Sequence, residues 1–228
     1  FQIEATGGSA AVAETFSTDT WTGSTSAETI TNGIDLAGDG GLTWFKVRSA
    51  GQSHILIDSV RGLNKTIYSN ETRGEGTQSW SITYNSDGMT LPTSSTDPSN
   101  GIVNNNGYDM VAWTFKKQAK FFDMVTYTGT GVSGLTVSHS LGGTVGSMFV
   151  KCTSHADDWY VYHIETGATH SSFLNTTAAA AANGAYWNNT APTTTAFTVG
   201  DNAGVNASGR TYVAYLFAHD TASDGLIQ

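Results

Sequence analysis

Short apolar runs, rich in β-branched and aromatic side chains, recur along the chain between clusters of turn-forming residues. Val111–Phe115 and Val213–Phe217 have the pattern of central strands buried on both faces. Phe45–Arg48 and Met148–Thr153 alternate instead, which places Val150 and Cys152 on one face and Lys151 on the other. Thr126–Thr128, Val137–His139, Trp159–His163, Ser172–Asn175 and Phe197–Val199 supply further strands. Turns fall at Asp87-Gly88, Asn100-Gly101 and Asn106-Gly107. The best helical stretch is Ala178–Ala182, one turn at most. About seven strands per hundred residues with frequent turns predicts an all-β protein of β-sandwich type, jelly-roll or Ig-like.

The pattern also repeats. Trp44-Phe45-Lys46-Val47 aligns with Phe149-Val150-Lys151-Cys152 at an offset of 105, and the same offset carries Ile55–Asp58 onto Tyr160–His163, Gly62 onto Gly167 and Asn70 onto Asn175. Further on the offset is 102, bringing Val103-Asn104 onto Val205-Asn206, Gly107 onto Gly209 and Val111–Phe115 onto Val213–Phe217. Upstream, Thr20–Gly23 matches Thr126–Gly129. A period this long fits a whole domain rather than a solenoid repeat. The expectation is two tandem β-sandwich domains related by duplication, at residues 20–120 and 121–220, with segments 1–19 and 221–228 outside them. Lys116–Lys120, the one dense basic stretch, reads as a solvated connector between them. Val47, Val111, Phe115, Cys152, Val213 and Phe217 are expected in the core.

Composition narrows the function. Charged residues are 13% of the 228, about half the usual globular share of roughly 25%. With 39% hydrophobic and 11% aromatic residues, the chain is not a disordered acidic tail. Ten Lys and Arg against 19 Asp and Glu give a net charge of −9, which disfavours a nucleic-acid partner. No run of about 18 apolar residues is present to insert in a membrane as a helix. The single cysteine forbids an intrachain disulfide. Low charge with abundant Thr, Ser, Asn and Gly suggests work outside a cell. Phe1 stands where an initiator Met would, so a processed product or part of a longer chain is expected. Leu226-Ile227-Gln228 follows Phe217 as Met124–Tyr127 follows Phe115, which reads as the first strand of a third unit.

Candidate chemistry is sparse. His155-Ala156-Asp157-Asp158 carries metal-ligand residue types but fits no zinc spacing, and a solvated hairpin tip is the favoured reading. Asp35, Asp39 and Gly40-Gly41 hint at a calcium loop yet lack its alternating oxygen ligands and closing Glu. No acidic pair recurs in both halves for glycoside hydrolysis, and neither a nucleophile elbow nor a phosphate loop occurs. Cys152 aligns with Val47 and reads as a buried thiol. Asn70 and Asn175, though both in sequons, read as strand-end residues bonding their own backbone. The expectation is a protein that is not an enzyme, with no metal and no cofactor. Trp159, Tyr186 and Trp187 with Asp157 and Asp158 form one candidate glycan-binding set, aromatic faces beside carboxylates. The competing and favoured reading puts the strand aromatics in the core, with Tyr186-Trp187 covering its end.

The motifs Trp44-Phe45-Lys46, Asp58-Ser59-Val60-Arg61-Gly62, Tyr68-Ser69-Asn70, Ser86–Leu91 and Val111-Ala112-Trp113 resemble repeat modules of virion proteins in tailed, marine-type phages. In the second half the resemblance rests on Val137–Gly142, Trp159–His163, Asn175-Thr176-Thr177 and Val213-Ala214-Tyr215, and it departs at Ile164–Gly167. It implies a structural tail-fibre or other exterior virion protein, located in the virion and extracellular. Its implied partners are other virion subunits, including copies of itself, and possible further contact with a host-surface glycan. A glycan-binding host-receptor module and a capsid decoration protein are the alternatives.

Overall fold

The computed structural model describes residues 12–93, 95–96 and 102–219. The segment 221–228, with its expected further strand, and the Asn100-Gly101 turn lie outside these residues. The first half contains β1 (Phe16–Thr22), β2 (Glu28–Thr31), β3 (Gly41–Val47), β4 (Ile55–Asp58), β5 (Lys65–Tyr68), β6 (Gly76–Thr77), β7 (Thr83–Asn85), β8 (Gly88–Leu91), β9 (Ser95–Thr96), β10 (Ile102–Asn104) and β11 (Asp109–Lys116). The second contains β12 (Phe122–Thr128), β13 (Leu135–Ser138), β14 (Thr144–Cys152), β15 (Trp159–His163), β16 (His170–Phe173), β17 (Ala181–Ala182), β18 (Ala196–Val199) and β19 (Thr211–His219). The fold is all-β, with a few single helical turns.

Each half is built on one antiparallel six-stranded sheet. The orders are β1-β11-β3-β4-β5-β6 and β12-β19-β14-β15-β16-β17. The residues matched in sequence occupy the same register: Phe45 pairs with Ala112 and Ile55, and Val150 with Ala214 and Tyr160. Both Val111–Phe115 and Val213–Phe217 lie in the second strand of their sheet, flanked on each side, as their apolar runs predict.

One face of each large sheet carries a small sheet. In the first half Phe45, Ile55, Ile57 and Ala112 pack with Met89 and Leu91 of the β2-β8-β7 sheet. In the second, Val150, Cys152, Tyr160 and Ala214 pack with Val137, Phe197 and Val199 of the β13-β18 pair. Two buried asparagines tie these layers to the strand ends. Asn206 accepts from Thr130 N at 2.8 Å and donates to Val132 O and Gly200 O at 2.8 and 2.6 Å. Asn104 makes the matching bonds to Ser24 N and Ser26 O at 2.9 Å each. Buried backbone groups away from a ladder need such partners.

The opposite faces of the two large sheets pack on each other. Leu42, Leu56 and Ile67 from the first meet Phe122, Met124, Trp159, Val213 and Tyr215 from the second. Phe115 lies 5.5 Å from Phe217 and 5.7 Å from Phe122, ring to ring. The chain is therefore layered small sheet, large sheet, large sheet, small sheet, with a core between each layer and the next.

This layering corrects several expectations. Lys116–Lys120 does lead from β11 to β12 at the surface, but it is tied down there: Lys116 pairs with Asp39 and Lys117 with Asp123, and Phe121 directly after it is buried. Lys151 does occupy the face opposite Val150, but that face is the inter-sheet core and Lys151 is fully buried. Val47, Val111, Cys152 and Val213 are buried as expected, while Phe115 and Phe217 are only half-buried at the rim of the shared core. Ala178–Ala182 forms no helix. Ala181–Ala182 is a short strand on β16, and the turn of helix comes at Gly184–Trp187, capped by the Asn183 side chain accepting from Ala185 N.

Candidate functional site

The predicted glycan set is split by burial. Trp159 points into the inter-sheet core with 0% exposure and donates its indole N–H to Tyr68 O at 2.8 Å. Trp187 is 1% exposed inside the second-half core, edge-on to Tyr162. A ring with no exposed face cannot stack on a sugar, so both leave the candidate set. Tyr186 is half-buried, its ring 4.8 Å from that of Tyr160. Asp157 and Asp158 lie beside it, and together with burial they raise the Tyr186 hydroxyl above its usual pKa. Their oxygens are engaged: Asp157 accepts from Tyr160 OH at 2.8 Å and Asp158 from Asn175 Nδ2 at 2.8 Å. Burial, then the bond to Asp157, pushes Tyr160 far above the ordinary tyrosine range. Tyr186, Asp157 and Asp158 thus remain together at one corner of the second half.

Other sequence candidates resolve into local structure. Asp35 caps the helical turn Leu36–Asp39, accepting from Gly38 N at 3.0 Å. Among the described residues no three His, Cys, Asp or Glu side chains converge as metal ligands. Asn70 and Asn175 bond the neighbouring strand rather than their own backbone, accepting from His54 N at 3.0 Å and Trp159 N at 2.9 Å.

The strongest polar constellation escaped the sequence reading. Asp58, 0% exposed, receives Arg61 Nε at 2.6 Å and Tyr215 OH at 2.6 Å on the same carboxylate oxygen. Arg61 also reaches Glu75 at 3.3 Å, Leu56 O at 3.1 Å and Tyr215 OH at 3.3 Å. Burial works against the guanidinium charge, but Asp58, Tyr215 and Glu75 outweigh it and hold the proton more tightly than usual. Asp58, Arg61 and Tyr215 cross between the two sheets with side chains at most 2% exposed, and so fasten the sheets together. Ion-pair networks perturb pKa values in this way without catalysis. A signal was available in the departure of Ile164–Gly167 from Ser59–Gly62: the second half has His163 and Thr166 where the first has Asp58 and Arg61.

Lys151 stands nearby with its Nζ on Thr72 O at 3.1 Å and Cys152 O at 2.9 Å. Burial lowers its pKa to about 8. Backbone bonds from Glu75 N to Thr153 O and from Asp157 N to Thr72 O, each 2.7 Å, extend the seam.

On the first sheet the corresponding surface is only partly covered among the described residues, with Trp44 at the edge of the inter-sheet core. Trp44 and Trp113 are opposite each other in register, half-buried, with rings 6.3 Å apart and near perpendicular. Trp44 donates its indole N–H to His54 Nδ1 at 3.3 Å, and burial, then the charge of Lys46, lowers the His54 pKa.

The chain is thus a layered all-β protein with an inner seam and, among the described residues, a part-exposed aromatic face on the first large sheet. It belongs to the family described as a domain of unknown function, DUF7483, which it matches over residues 11–222, across both halves. No curated protein and no solved structure matches it.

Proposed function

We propose that this chain is a non-enzymatic structural component of a phage particle, a tail-fibre or other exterior virion protein made of two duplicated β-sandwich units. The observation that carries the reading is the seam. Two sheets of the same strand order and register are fastened face to face by an aromatic core and the Asp58–Arg61–Tyr215 group. Such a joint leaves no hinge for the units to swing on, which suits an extracellular part that must hold its shape. The resemblance to phage virion repeat modules is what supports that location. Its partners on this reading are other virion subunits, including further copies of the chain.

Mass spectrometry of purified particles, followed by a whole-particle reconstruction, tests the proposal. The expected result is the chain among the virion proteins with density on the exterior; density on the capsid surface would favour the decoration alternative. Absence from particles would overturn the reading. A second reading, host-surface glycan binding, is favoured by the corner where half-exposed Tyr186 adjoins Asp157 and Asp158. A glycan array with the intact chain and Tyr186→Ala tests it: signal lost in the variant supports it, and no signal with either removes it.

A further inference from the structure

The two large sheets do not pack symmetrically. The second sheet offers the face made by Met124, Lys151, Trp159, Val213 and Tyr215, all at most 1% exposed. It is covered by the β4–β6 side of the first sheet and the loop after β5. Tyr68 O takes the Trp159 indole N–H, Thr72 O takes the Lys151 ammonium, and Asp58 takes the Tyr215 hydroxyl. The corresponding face of the first sheet comprises Thr18, Lys46, His54, Val111 and Trp113 by the same register. Val111 pairs with Lys46 as Val213 pairs with Lys151, and Thr18 pairs with Trp113 as Met124 pairs with Tyr215. There Lys46, His54 and Trp113 are only half-buried and Thr18 is exposed, while Val111 is buried at 8% exposure. Equivalent residues touch at one edge, Phe115 against Phe217, but the socket and its cover are unlike patches; over that area the contact is heterologous and leaves one socket face and one covering patch over. Heterologous contacts continue into rings or open arrays.

We infer that the open face around Trp44, Trp113 and Lys46 receives the second half of another copy of this chain, repeating the intramolecular seam between molecules. The occupant is indicated by the patch left over. Leu56 and Ile67, whose side chains cover the second sheet, correspond to Val161 and Ser172, both half-buried. Beside them opens a cavity of about 320 Å³ lined by Ser147, His163, Glu165 and Phe217 among others. Charge agrees: Lys46 and the exposed Arg48 flank the open face, and exposed Glu165 rims the patch, in a chain of net charge −9. His54 fits as well. Its Nδ1 accepts from Trp44, so the neutral ring carries its proton on Nε2, a donor at the position where Trp159 donates across the seam. The inference goes beyond the virion reading and stands without it.

The test uses the full chain and its mass in solution by light scattering after gel filtration, over concentrations up to about 1 mM, the weak end of protein affinities. The wild type is expected to rise with concentration above the mass of one chain. Thr18→Arg blocks the open face from an exposed position, and Ser172→Arg blocks the covering patch; each is expected to remain a single chain with an unchanged melting temperature. An equimolar mixture of the two retains one good face and one good patch. It is expected to form a one-to-one pair and nothing larger. A wild type that stays a single chain throughout would overturn the inference, as would either folded variant associating like the wild type. A mixture that fails to pair would overturn it too.

Discussion

Replacing Tyr215 by Phe isolates the seam in one atom. The ring keeps its stacking against Trp159 and Phe122, with centroids 6.1 and 6.2 Å away. What goes is a hydroxyl that donates to Asp58 Oδ2 at 2.6 Å and accepts from Arg61 Nη2 at 3.3 Å. Both partners are charged and shut from water, their side chains 0% and 2% exposed. A hydrogen bond to a charged group contributes about 1.5–3 kcal/mol, and no water enters to replace it. At 150–250 residues a loss of 1 kcal/mol lowers the melting temperature by roughly 2–4 °C, so Tyr215→Phe should melt about 3–12 °C lower. Asp58→Ala should cost more, about 3–5 kcal/mol, because it strands the Arg61 charge. Scanning calorimetry is the assay, and the expected trace is one transition displaced as a whole, since the hydroxyl sits in a core shared by both halves. A shift within about 1 °C would show that the hydroxyl adds nothing at the seam. Two transitions, with only one displaced, would refute the claim that the sheets melt as one body.

Lys151 predicts an unusual pH dependence. Its folded pKa, lowered to about 8 by burial, lies below the unfolded value of about 10.4, so the unfolded chain binds more protons between these values and stability rises with pH there. The melting temperature should climb from pH 7.5 to 9.5, and Lys151→Met should flatten the climb. Cys152, 0% exposed, should resist iodoacetamide in the native protein and react once urea unfolds it; labelling of the native state at the unfolded rate would count against its place in the core. Asn206→Ala leaves Thr130 N, Val132 O and Gly200 O short of a partner and should cost about 3 kcal/mol in urea titration, whereas a loss below about 1 kcal/mol would mean water replaces the side chain.

Periodicity was a good guide where one face of a strand meets the core within its own half. Val150 and Cys152 share a face as the alternation implies, and Trp159–His163 is a strand over the span expected. It misled wherever the second face mattered, because alternation says which residues share a face but not what covers that face. Lys151 and Trp159 show the difficulty from opposite sides. The alternation puts Lys151 opposite Val150 without saying what covers it, and it leaves Trp159 both as a core aromatic, the favoured reading, and as a glycan candidate; both are buried because a second sheet lies over them. That cover comes from residues some 80 to 90 positions away, Thr72 for Lys151 and Tyr68 for Trp159, and no local pattern reports contacts at such separation. The clue lay in comparing the halves residue by residue. His54 stands where the second half has Trp159, Thr18 where it has Met124, and Asp58 and Arg61 where it has His163 and Thr166. The socket residues are more apolar in the second half, while the covering residues are more apolar and ion-paired in the first. Two units evolving alone would have no cause to diverge in opposite senses on the same face. Units that must recognise each other in one direction would, and the sequence asymmetry and the one-sided seam are then a single property seen at two levels.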